Sequence, residues 1–163
     1  MDLSVINPIL LLAALMSAAT PILLAATGEL VVERAGVLNL GVEGMMIVGA
    51  IAGFIVAVNT GSPALGFIGA AAGGAVLSLL FVFLTQVALA NQVASGLGLT
   101  LFGLGLSALM GQSYVGVKPP RMADLDLGPL SDIPVLGRIL FSHDAMVYIG
   151  LLIVLGVWAG LKF

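Results

Sequence analysis

The 163-residue chain has no cysteine, a single histidine, a single tryptophan, and charged side chains at only 8 % of its positions. The missing cysteines exclude a disulfide framework, a thiolate metal site and a cysteine nucleophile. The lone His143 excludes a histidine-rich metal cluster, and no Gly-x-Ser-x-Gly elbow or Gly-Lys-Ser/Thr phosphate loop is present. Soluble domains carry about 25 % charged residues. Here 74 consecutive residues between Glu43 and Lys118 contain no Asp, Glu, Lys or Arg. A net charge of −3 without a basic run excludes a nucleic-acid binder, and 61 % hydrophobic residues exclude a disordered chain.

What is present is apolar sequence, with a mean hydropathy of +1.25. At about 20 residues per crossing, the pattern predicts an all-α, polytopic membrane bundle of about five helices. The expected spans are 8–26, 45–58, 65–90, 97–116 and 145–163, forming one partial transmembrane domain over residues 1–163. Small residues near Ser17 imitate a signal cleavage site. No basic residue precedes the first apolar run, however, so a retained first helix, kinked at Pro21, is expected. The turn signal Asn59-Thr60-Gly61-Ser62-Pro63 closes the second span. Residues 117–144 form the one long polar loop, with four prolines and seven charges, and Val135 to Phe141 has the pattern of a short interfacial helix.

The chemistry concentrates around residues 28–44, where Glu29, Glu33, Arg34 and Glu43 arrive together. A helix over residues 45–58 rises only about 21 Å, short of a hydrocarbon core of about 30 Å. Starting it at Ala35 would carry Asn39 and Glu43 into the membrane. Gly36, Gly41 and Gly44 permit backbone geometry that a regular helix does not use. The segment therefore reads as an interrupted helix after the first span. One version is a transporter-type break that lends polar groups to a substrate, with Asn39 and Glu43 as pathway residues. The other is a cytoplasmic interfacial loop, with Glu33 and Arg34 solvated and the glycines serving turns. Asn91-Gln92 is similarly double: a plain helix-hairpin turn, or amides bordering the pathway or a partner surface.

His143-Asp144 reads by default as an exposed histidine beside a helix-capping aspartate. The Gly-x-x-x-Gly pairs at 49/53, 69/73 and 156/160 are about what 22 glycines produce by chance, and mark no dimer face. No metal site and no cofactor are expected. Spans without carboxylates argue against ion coupling and for a passage driven from outside. A gradient-driven carrier and a non-transporting fragment or scaffold stand as alternatives.

Three stretches carry a family resemblance: Glu33-Arg34-Ala35-Gly36-Val37-Leu38-Asn39-Leu40-Gly41-Val42-Glu43-Gly44-Met45-Met46, Asn91-Gln92-Val93-Ala94-Ser95-Gly96-Leu97-Gly98-Leu99, and Leu130-Ser131-Asp132-Ile133-Pro134-Val135-Leu136-Gly137. The chain resembles the permease subunits of ATP-binding-cassette importers in the branched-chain amino acid and simple sugar group, most like the nucleoside permeases. That resemblance implies a non-catalytic subunit in the cell membrane. Its expected partners are a cassette ATPase, a second permease and an extracytoplasmic substrate-binding lipoprotein. It places the N-terminus outside, Arg34 toward the cytoplasm and loop 117–144 outside. Family members continue beyond the equivalent of Phe163 into a basic cytoplasmic loop and further spans, so the chain is expected to hold the first half. Charge alone does not orient it, because basic residues are split between the two sides.

Overall fold

A computed structural model describes residues 7–123, 125, 140–141 and 143–162. Among these the fold is all-α, with five helices long and apolar enough to cross a membrane. They are α1 (Pro8–Arg34), α2 (Val42–Thr60), α3 (Pro63–Val82), α4 (Gln92–Gly111) and α5 (Ala145–Lys162). A π-helical turn, Phe83–Val87, extends α3, and a 3-10 turn, Gln112–Tyr114, extends α4. The residues group into two compact units: Glu29–Arg121, and Met1–Gly28 with Met122–Phe163.

In the first of these units α2 packs most extensively against α3 and next against α4. The α2–α3 seam is built from the small residues whose spacing looked like chance. A Cβ added at Gly53 would meet the Ala70 Cβ and the Gly66 carbonyl oxygen, each at 2.7 Å, and one at Gly73 would meet the Ala52 Cβ at 2.7 Å. The Gly49/Gly53 and Gly69/Gly73 pairs thus serve contact within the chain, where small residues let backbones approach. Gly156 and Gly160 have nothing within 4 Å at the equivalent position. Val48, Leu77, Phe81 and Leu99 form the buried apolar cluster. Large apolar side chains such as Ile68, Val76, Leu79 and Leu101 point outward, as they do when lipid is the solvent.

Local chemistry sets the helix ends. Gly61, at φ +67°, stops α2. Ser62 Oγ then accepts a hydrogen bond from the Leu65 amide at 3.4 Å, with Pro63 at the first helical position. With 19 residues, α2 rises about 28 Å, close to a full crossing. It includes Glu43 in its first turn and leaves Asn39 outside. Helix α1 outruns the apolar stretch 8–26, because Glu29 and Glu33, one helical turn apart, continue it to Arg34. Helical order passes through Pro21. The Thr20 and Thr27 hydroxyls donate to the Met16 and Leu23 carbonyls at 2.9 and 2.7 Å, which satisfies them within an apolar helix.

In the other unit, Asp144 Oδ1 accepts from the Met146 and Val147 amides at 3.1 and 3.2 Å and caps α5. His143 departs from its expected exposure. It is only 3 % exposed, its Nδ1 lies 3.4 Å from Ser17 Oγ, and the polar loop does not leave it in solvent. Gly150 faces Thr20 and Leu24 of α1 closely. Residues 126–139, including the expected interfacial segment from Val135 and the Leu130–Gly137 stretch, lie outside the described residues. Asp144→Ala is expected to lower stability by about 1 kcal/mol through loss of the cap, read as faster amide exchange at Met146 and Val147.

Candidate functional site

The link between α1 and α2, residues 35–41, is the one place where the richest polar segment leaves helical geometry. Gly36, at φ +82°, turns the chain out of α1. The Gly36 amide donates to the Glu33 carbonyl at 2.9 Å and the Val37 amide to the Val32 carbonyl at 3.2 Å. The next backbone groups have no helical partner, and buried or half-buried amides must find one elsewhere. Side chains from three elements supply them.

Gln92 Oε1, at the start of α4, accepts from the Leu38 amide at 2.9 Å. Glu29 Oε1, on α1, accepts from the Asn39 amide at 3.2 Å. Asn39 itself, 6 % exposed, accepts from the Gly41 amide through Oδ1 at 3.0 Å, and its Nδ2 lies 3.6 Å from Met45 Sδ. Thr100 Oγ1 donates to the Leu40 carbonyl at 3.1 Å. The backbone itself closes the site. A Cβ at Gly96 would stand 2.9 Å from the Gly41 and Leu40 nitrogens, and one at Gly44 would stand 2.6 Å from the Leu99 carbonyl oxygen. Helix α4 therefore lies flush along the link, in register with it for two turns.

Of the residues singled out in sequence, Asn39 and Gln92 meet on this link, and Gly41 and Gly44 line it. Asn39 spends its carbonyl oxygen on the local backbone, so its role here is to hold the turn. Asn91 Oδ1 accepts from the Ala94 amide at 3.0 Å and caps α4. Glu43 is exposed in the first turn of α2, where a carboxylate also suits the positive end of the helix dipole. Glu33 and Arg34 are exposed on the last turn of α1. Sequence reasoning missed Glu29 as a ligand of the link, gave Gly96 no role beyond its place in the Asn91–Leu99 stretch, and missed Thr100 altogether. Glu29 lay within the charged cluster, whereas nothing local distinguishes a threonine that acts on a carbonyl sixty positions away. Among the described residues no group of three His, Cys, Asp or Glu is placed to hold a metal ion.

Five apolar helices long enough to cross a bilayer, with a non-helical link clasped by side chains between the first two, define an integral membrane protein. The chain belongs to the family described as branched-chain amino acid transport system / permease component, whose profile matches residues 11–162. It is 45 % identical over 152 residues to a putative glucose ABC transporter permease, TsgC13, of Haloferax volcanii, covering 91 % of this chain and 46 % of that protein. It is 33 % identical over 153 residues to the guanosine ABC transporter permease NupQ of Bacillus subtilis, covering 87 % and 48 %. A nucleoside ABC transporter permease of Lactococcus lactis is 26 % identical over 156 residues, covering 88 % and 49 %. The chain thus spans about half the length of the curated relatives it matches. No solved structure matches.

Proposed function

We propose that the chain belongs to a permease subunit of an ATP-driven importer for nucleosides or simple sugars, and it spans about half the length of the relatives. The observation that carries this is the family match over nearly the whole chain, to relatives named for glucose, guanosine and nucleosides. Residues 44–117, without a carboxylate, support a driving force supplied from outside rather than by ion coupling. The finer assignments follow from this reading. ATP is hydrolysed on a separate cassette subunit, a second permease completes the path, and an extracytoplasmic binding lipoprotein delivers the ligand.

Alternation of five crossings puts the ends of α1 and α5 on one side, taken as cytoplasmic, and residues 117–144 outside. The Lys162 ammonium, 5.0 Å from the Trp158 ring centroid at the end of α5, suits a membrane–water interface. The link 35–41 borders the pathway. Asn39, Gln92 and the glycines at 36, 41 and 44 fix its backbone, Asn91 fixes the start of α4, and exposed Glu43 presents the group that a hydroxyl-rich ligand meets.

The test is uptake of labelled guanosine and glucose by the full-length permease with its partner subunits. Uptake is expected to require ATP and to survive an uncoupler. Collapse with the uncoupler while ATP is maintained would establish a gradient-driven carrier instead. Glu43→Gln is expected to depress uptake at unchanged expression, and wild-type uptake by that variant removes Glu43 from the pathway.

A further inference from the structure

Helices α2 and α4 run in the same direction, and their contact changes character along its length. Beside the link, backbone meets backbone. A Cβ at Gly103 would stand 2.7 Å from the Gly44 carbonyl oxygen, and one at Gly44 would stand 2.6 Å from that of Leu99. Further along, a Cβ at Gly111 would meet only the tip of a side chain, the Ile51 Cδ1 at 3.6 Å. Beyond that point side chains span the gap. The Phe54 and Tyr114 rings meet edge to face with centroids 6.1 Å apart, and Asn59 Nδ2 donates to the Tyr114 hydroxyl at 2.9 Å. The two helices therefore diverge away from the link. From Gly44 to Phe54, about 15 Å of α2, the interval to α4 widens.

The two ends differ in what can release them. Beside the link the touching atoms are backbone, which neither a rotamer change nor a water molecule replaces. At the far end the hydrogen bond joins exposed Asn59 to half-buried Tyr114, and water offers both groups equivalent partners, so the bond's net worth is small. Tyr114 also ends the 3-10 turn Gln112–Tyr114. Rewinding three residues from 3-10 to α geometry turns the last one by about 60° around the axis, enough to carry its ring off Phe54 and Asn59. Gly116, at φ +81°, follows directly and gives the chain room to adjust. Because the glycine seam holds α3 to α2, α4 is the helix left to swing. Half-buried Ser107 lies four residues from both Gly103 and Gly111, on the α4 face that looks into the gap.

We propose that the Asn59–Tyr114 hydrogen bond is a releasable clasp. When it opens, α4 swings away from α2 about the end beside the link, and water enters the gap as far as Ser107. This goes beyond the importer reading and does not depend on it, because the movement lies within one pair of helices and needs neither ATP nor a ligand.

The test uses the full-length permease in phosphatidylcholine nanodiscs, with Ser107→Cys as reporter and a water-soluble methanethiosulfonate as probe. The 163 residues contribute no competing thiol. Modification is expected to be slow in this background, and its rate follows the open fraction when opening and closing outpace labelling. Tyr114→Phe keeps the ring and removes only the hydroxyl. It is expected to speed labelling about fivefold, the effect of one net hydrogen bond. Asn59→Ala is expected to do the same, and the double variant no more than either, because both remove one bond. Gln112→Ala, exposed on the same turn, should leave the rate unchanged. Unchanged labelling in Tyr114→Phe and Asn59→Ala overturns the clasp, as does a double variant in which the two effects multiply. A parallel rise at Val48→Cys, in the buried cluster, overturns it as well, since the bond would then brace the whole unit rather than close one gap.

Discussion

Gly44→Ala is expected to destabilise the protein sharply, although alanine is the better helix former. The new Cβ would stand 2.6 Å from the Leu99 carbonyl oxygen and 2.7 Å from the Thr100 Cα, both backbone atoms of α4. No rotamer change relieves such a contact, so α2 and α4 must separate. That separation also withdraws α4 from the link, where Gly96 lies against Leu40 and Gly41. Overpacking of this kind costs about 1–3 kcal/mol, whereas the gain in helix propensity is about 1 kcal/mol at most. Gly98→Ala on α4 is the control, because nothing lies within 4 Å of the position its Cβ would take. It should hold or raise the melting temperature in detergent. Equal effects of the two substitutions would remove the close approach of α2 and α4 from the account.

Asn39→Ala should come next in size. Gly41 is buried and its amide has the Asn39 side chain as acceptor, so truncation strands a buried donor at about 1–3 kcal/mol. Asn39→Asp keeps an acceptor in place but sets a carboxylate beside Glu29, which already accepts from the Asn39 amide. It should fall between wild type and Asn39→Ala, and Glu29→Gln should recover part of the loss in the double variant. Residues in one hydrogen-bond network couple by about 0.5–3 kcal/mol, which melting of the four-member cycle resolves. Faster amide exchange at residues 38–41 is the local signature. A strictly additive cycle would show that Glu29 and Asn39 do not act on one turn.

The helical class and the membrane setting were legible because a bilayer demands long apolar helices and admits few alternatives. The Asn59–Pro63 turn and the Asp144 cap were legible because their partners lie within a few residues. Long-range partners were not. Gln92 acts on Leu38 across 54 positions and Thr100 on Leu40 across 60. His143 is drawn out of solvent beside Ser17, 126 positions away. The Gly-x-x-x-Gly pairs show the converse. Their number was unremarkable, and only the fold separates the pairs at 49/53 and 69/73, which seat against a neighbour, from 156/160, which meets none among the described residues. The π-turn at Phe83–Val87 has no compositional signal, because Leu, Thr, Gln and Val fit an ordinary helix as well.

The glycine seam between α2 and α3 has a mechanical consequence. With Gly53 against Ala70 and Gly73 against Ala52 at contact distance, sliding one helix along the other would drive a methyl group into backbone. The pair accordingly behaves as a single stiff lever. Movement of the pair is therefore expected at its two non-helical ends, residues 35–41 and 88–91, rather than as shear along its length.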